Sequence, residues 1–127
     1  MGSLVALNTI ITNNLNPNYS SFFFCTLLFY LFFEVFFSFF RKIVQKKSPV
    51  YPDNKHLHML IYEKISLFFG KDKGNYFNSL FINIIYFILI LPSLFFFNDP
   101  ALSRYWFFTL IVIYLLIYLR LYRLTKN

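Results

Sequence analysis

Long apolar runs alternate with short polar ones along the chain, and the runs have the lengths of membrane-crossing helices. A helix needs about 20 mostly apolar residues to cross the ~30 Å hydrocarbon layer. Residues 21–40 supply twenty, with Glu34 the only charge. Residues 76–97 supply twenty-two with no charge, and Pro92 near their end is expected to kink the helix. Residues 105–119 are uncharged and reach spanning length when 101–104 join them and Arg104 snorkels to the interface. Residues 1–12 are apolar too, but make only about 18 Å of helix. They have no basic n-region or cleavage site, and Ala6 stands where a myristoylation signal needs Ser or Thr. They read as the end of a longer helix whose beginning is missing, or as a short re-entrant or interfacial start. The expected fold is all-α and integral to a membrane. It has three full transmembrane helices (21–40, 76–97, 101–119), a truncated N-terminal one (1–12), and an amphipathic helix within the connection 41–75.

That connection has its own pattern. Pro49 and Pro52 make its first part extended or turning. Asp53 and Asn54 are good N-cap residues. Leu57, Leu60, Ile61, Ile65 and Phe68 then fall at helical spacing, with His56, Glu63 and Ser66 off the stripe and Gly70 as a stop. The expected element is an interfacial helix over 55–69, lying on the inner membrane surface.

Composition narrows the class further. Hydrophobic residues are 58% and charged ones 13%, against a usual ~25% charged. A soluble domain of this size leaves a large share of its surface in water, and this chain has no polar coat to cover it. A soluble globular enzyme, a disordered tail and a disulfide-stapled secreted domain are excluded, the last because Cys25 is alone. The net charge is +7, with eight of the twelve Lys and Arg between 41 and 73 and three after 119. Basic groups set between apolar spans fix orientation, so no nucleic-acid partner is expected. The positive-inside rule places 41–75 and the C-terminus in the cytoplasm, and 13–20 and 98–104 outside. Tyr105, Trp106, Tyr118 and Tyr122 fall near the proposed interfaces, as an aromatic belt would.

The candidate chemistry is Pro52-Asp53-Asn54-Lys55-His56-Leu57-His58. It puts both histidines and a lysine at a helix start, where free N–H groups and the helix dipole attract phosphate. The plainer reading is a capped interfacial helix with a basic start. Two histidines one residue apart share a face on a strand but point about 200° apart on a helix, and zinc wants three or four ligands. No metal site is expected. Glu34, in mid-span, is costly and must face protein or water. It reads either as a proton-handling or substrate-facing group, or as a hydrogen-bonded clamp between helices. The clamp is preferred because no span offers a basic partner. The Phe runs read as lipid-facing bulk, and Asn78, Ser79 and Asn83 as makers of interhelical hydrogen bonds.

Phe33-Glu34-Val35-Phe36-Phe37-Ser38-Phe39-Phe40-Arg41-Lys42, Ser48-Pro49, and Pro52 through His58 with Met59-Leu60-Ile61-Tyr62 together resemble the C-terminal part of glycosyltransferase family 4. These are polyprenyl-phosphate sugar-1-phosphate transferases. They include the undecaprenyl-phosphate N-acetylglucosamine-1-phosphate and the phospho-N-acetylmuramoyl-pentapeptide transferases. The specific likeness spans 33–62, and the order of helices fits over the whole chain. The resemblance implies a larger helical bundle in the bacterial inner (plasma) membrane, completed by N-terminal helices that this chain lacks. It implies transfer of a phospho-sugar from a UDP-sugar to polyprenyl phosphate with Mg²⁺, in cell-envelope polysaccharide or peptidoglycan synthesis. It places His56 and His58, and more loosely Lys55 and Asp53, beside the nucleotide-sugar diphosphate. Two departures stand out: Met59 replaces a third histidine found in many members, and the family's paired and metal-binding aspartates have no counterpart here. The chain is therefore expected to hold no catalytic residue and no Mg²⁺ site, to be inactive alone, and to be a fragment or half of a split gene. The rival expectations are a small non-catalytic membrane subunit or scaffold, and a transporter fragment with Glu34 as its coupling group.

Overall fold

The computed structural model describes residues 2–48, 50–51 and 55–126. The described chain is helical throughout, in the order α1 (Gly2–Leu15), α2 (Ser21–Leu27), α3 (Phe29–Val44), α4 (Leu57–Ile90), a 3₁₀ turn (Leu91–Phe95) and α5 (Pro100–Lys126). Two stretches, Leu57–Phe95 and Pro100–Thr125, are long and apolar enough to cross a membrane, which makes this a membrane-associated chain. Ser21–Leu27 with Phe29–Val44 gives a third if the pair, bent by 75°, is one span. α1 is 14 residues long, and most of its apolar side chains are exposed.

Each interruption has a local cause. Leu28 leaves helical geometry between α2 and α3 (φ −104°, ψ 3°). The carbonyls freed there need partners in an apolar layer, and the Tyr86 hydroxyl donates to those of Thr26 and Leu27. Gly70 interrupts α4 with φ 76° and ψ 167°, a conformation open to glycine almost alone. The chain turns back on itself there. A Cβ on Gly74 would stand 3.2 Å from Ser66 Cα, and Phe69 stacks on Phe77 at 4.4 Å. The stop expected at Gly70 is therefore a sharp change of direction inside one helical stretch. Pro92 sits in the first turn of the 3₁₀ segment, where a missing N–H is harmless. The expected kink takes the form of a change in helix type at the end of α4.

The core is an aromatic seam between α3 and α5. Phe29 stacks on Phe33, and Phe33 on Phe37, at four-residue spacing along α3. Tyr114, Tyr118 and Tyr122 do the same along α5. The rows meet edge to face, with Phe33–Tyr114 at 5.0 Å and Phe37–Tyr118 at 4.7 Å. Such pairs contribute about 0.5–1.5 kcal/mol each beyond area burial. Phe32, Phe36, Phe39 and Phe40, on the other side of α3, are exposed, as lipid-facing bulk would be. Leu57, Leu60 and Ile61 are buried against Phe29, Leu110 and Tyr114, with Ile65 packed at the edge, while Phe68 is exposed. Most of the stripe expected to lie on a membrane surface is thus docked in the bundle core.

The two ends of the bundle differ in charge. At one end two turns without net charge meet: Ser20 N–H donates to the Phe97 carbonyl (2.8 Å), and Tyr19 sets its ring edge-on to Phe97. At the other end the basic connection meets the basic tail, with Lys64 Nζ donating to the Leu124 carbonyl (2.9 Å). The alternation of charge along the sequence becomes a separation of charge in space.

Candidate functional site

The site grows from one buried carboxylate. α3 carries Glu34 on the face turned to α4 and α5, where it is 7% exposed. A charge taken out of water needs partners, and Glu34 has them on both oxygens. Leu57 N–H donates to Oε1 at 2.6 Å, and the Tyr114 hydroxyl donates to Oε2 at 3.0 Å. The Nδ1 atoms of His56 and His58 lie 3.3 and 3.6 Å from the same Oε1. Leu57 is the first residue of α4, one of the helix-start positions whose N–H has no partner inside the helix. A negative group is favourable there. Glu34 therefore caps α4 from a different helix, and the clamp between helices preferred for it has its partners within this chain.

His56 occupies the N-cap position with extended backbone (φ −70°, ψ 150°) and makes no side-chain cap bond. Asp53 and Asn54, expected as caps, lie outside the described residues, and so does the Asp53 contribution to the site. Because His56 precedes the helix and His58 belongs to its first turn, neither pure strand nor pure helix geometry governs the pair. The rings lie nearly parallel, 21° apart, with centroids at 5.5 Å. His58 is the more open of the two. The Nδ1 of His56 is buried and makes no aligned hydrogen bond, with Glu34 Oε1 as its near acceptor. The structure thus brings His56 and His58 together at Glu34, while the Lys55 ammonium turns to Tyr122. The Leu57 N–H that the sequence offered to a phosphate is held by Glu34 instead, so an anion reaching this end meets imidazole edges and not that amide.

Three cations pin the connection that leads into the site. Arg41 donates to the Lys55 carbonyl and to the Tyr118 hydroxyl. Tyr118 donates to the same carbonyl at 3.2 Å. Lys42, buried, donates to the Tyr51 carbonyl at 2.6 Å. Lys55 Nζ reaches the Tyr122 hydroxyl at 3.5 Å and sits over that ring. Tyr114, Tyr118 and Arg41 were missed as contributors from the sequence. The signal for the two tyrosines was the four-residue spacing of 114, 118 and 122, which marks one face of α5. Tyr118 is 2% exposed, so it belongs to the seam and not to an aromatic belt. Asn78, expected to bond between helices, is buried with its Oδ1 unpaired among the described residues.

The residues present do not fit Mg²⁺, which takes hard oxygen ligands. Both Glu34 oxygens are engaged by protein donors, its neighbours are imidazoles, and the described residues hold no group of three His, Cys, Asp or Glu arranged for a metal. A cavity of about 440 Å³ lies beyond Leu57 and Tyr114, between the two halves of α4 and α5. Its walls are apolar apart from Lys64 and Arg120, and neither Glu34 nor the histidines line it. No protein-family model, curated protein or solved structure matches the chain.

Proposed function

We propose that this chain is the C-terminal portion of a membrane sugar-1-phosphate transferase of the glycosyltransferase family 4 kind. The whole enzyme passes a phospho-sugar from a UDP-sugar to polyprenyl phosphate, in cell-envelope polysaccharide or peptidoglycan synthesis at the bacterial plasma membrane. Three spans cross that membrane, and residues 41–75 and the C-terminus face the cytoplasm. In the reaction an oxygen of the lipid phosphate attacks the β-phosphorus of the donor. The bond from that phosphorus to the bridging oxygen breaks, and UMP leaves.

The share of this chain is to hold the donor. His56 and His58 meet the diphosphate with their outer ring edges, and Lys55 supports them with positive charge. The metal-binding carboxylates come from the other helices of the bundle, and this chain alone is inactive. The observation that carries the reading is the parallel pair of imidazoles, directly after the Lys55 carbonyl that Arg41 holds. The likeness over 33–62 and the meeting of both basic segments at one end add support.

The test isolates the tagged chain from its native membranes with whatever helices accompany it. Label at the β-phosphate of a UDP-sugar should pass into the lipid fraction, and His56→Ala or His58→Ala should lower that transfer by about tenfold or more. Absence of transfer with the wild-type chain, or full transfer in both variants, overturns the proposal.

A further inference from the structure

We infer that Glu34 is the positioning residue of the histidine pair. Its Oε1 faces the Nδ1 atoms of both rings, and this turns both Nε2 atoms outward as one two-pronged contact. The orientation rests on geometry. The ligand it serves, a diphosphate, rests on the function proposed above.

Four observations converge. The carboxylate is buried and fixed at both oxygens, by Leu57 N–H on one side and the Tyr114 hydroxyl on the other. It cannot swing away without leaving an amide and a hydroxyl unpaired in an apolar surround, which is costly. Both Nδ1 atoms lie within 3.6 Å of Oε1. The buried Nδ1 of His56 has no aligned hydrogen bond to any described residue. A ring nitrogen facing a carboxylate is held as the protonated one, and that fixes the tautomer and direction of the other. The two rings lie nearly parallel, 21° apart, with centroids at 5.5 Å.

Capping α4 would need only Leu57 N–H. A positioning role makes a claim that capping does not, since it fixes which nitrogen of each imidazole carries the proton. Nitrogen NMR of the full chain in lipid nanodiscs, with labelled histidine, reads this directly. In the wild type, above the titration of the rings, both should be protonated at Nδ1. Glu34→Gln should release at least one ring to the Nε2 form, and Glu34→Asp, shorter but still a carboxylate, should keep part of the wild-type pattern. Wild-type rings protonated at Nε2 overturn the inference with no variant needed, so it is decided even if Glu34→Gln does not fold. Unchanged tautomers in a folded Glu34→Gln overturn it too.

Inorganic pyrophosphate added to the wild type should shift the Nε2 signals and leave the Nδ1 signals in place, with about tenfold weaker binding in Glu34→Gln. Nδ1-protonated rings that ignore pyrophosphate would uphold the positioning by Glu34 and count against the diphosphate reading alone.

Discussion

The two long helices begin in opposite ways. α5 is capped from next door: Asp99 Oδ1 accepts from Ala101 N–H at 2.9 Å and Leu102 N–H at 3.0 Å, just before Pro100 opens the helix. α4 is capped from another helix: Glu34 reaches Leu57 N–H across 23 positions of sequence. Asp99 is half-buried at a turn, whereas Glu34 is in the core with three further groups around it. A neighbouring cap decides only where a helix starts. A remote cap also decides where the helix sits, because its loss unties α3, α4 and α5 together. The same carboxyl chemistry is a local signal in one place and a tertiary joint in the other.

The largest effect should come from Glu34→Ala. It leaves Leu57 N–H and the Tyr114 hydroxyl buried without their acceptor, and at about 1–3 kcal/mol for each group should cost about 2–6 kcal/mol in all. Reversible unfolding of the chain in mixed micelles, followed by helicity and tyrosine fluorescence, measures it. A loss near 1 kcal/mol, the size of an ordinary N-cap, would mean that the joint does no more than Asp99 does.

This contrast marks the limit of what a single sequence reveals. The apolar runs, an interruption at Gly70 and the meeting of like-charged ends were legible, since each depends on spacing within a few residues or on counting charges; the reversal of direction at Gly70 was not. Glu34 and the His56–His58 pair were each legible as unusual. Their contact was not, because it depends on which faces α3 and α4 turn to each other, and local spacing does not fix that. Tyr114 and Tyr118 were hidden for a related reason. Tyrosine suits a membrane interface and a buried hydrogen bond equally well, and only the packing of α5 on α3 separates the two. The stripe over 57–68 has the spacing of an amphipathic helix, yet spacing does not say whether lipid or protein covers it.

Tyr114→Phe should have the next largest effect. It keeps the ring in the seam and removes only the hydroxyl on Glu34 Oε2. A buried hydrogen bond to a charged group contributes about 2 kcal/mol, so the same unfolding measurement should show about that loss. With Glu34→Ala already in place, Tyr114→Phe should cost far less, because the partner is gone. Equal costs in both backgrounds would mean that the tyrosine acts through packing alone, and that the joint holds two helices instead of three.

The smallest effects test the other side of the comparison. Asp99→Ala removes the side-chain acceptor from two N–H groups that water can also reach, and should cost about 1 kcal/mol. Asp99→Asn should cost no more than a few tenths, since Asn and Asp serve almost equally as N-caps. The reasoning is geometric: Asn keeps the carbonyl oxygen where Oδ1 now stands, and its amide can turn to solvent. Neither change should disturb the imidazole signals at the far end of the bundle, because α5 meets Glu34 through Tyr114, well along the helix from its start. A shift of the His56 or His58 signals in Asp99→Asn would show that α5 moves as one rod fixed at both ends. The distinction between a local cap and a tertiary joint would then fail at the place where it is drawn most sharply.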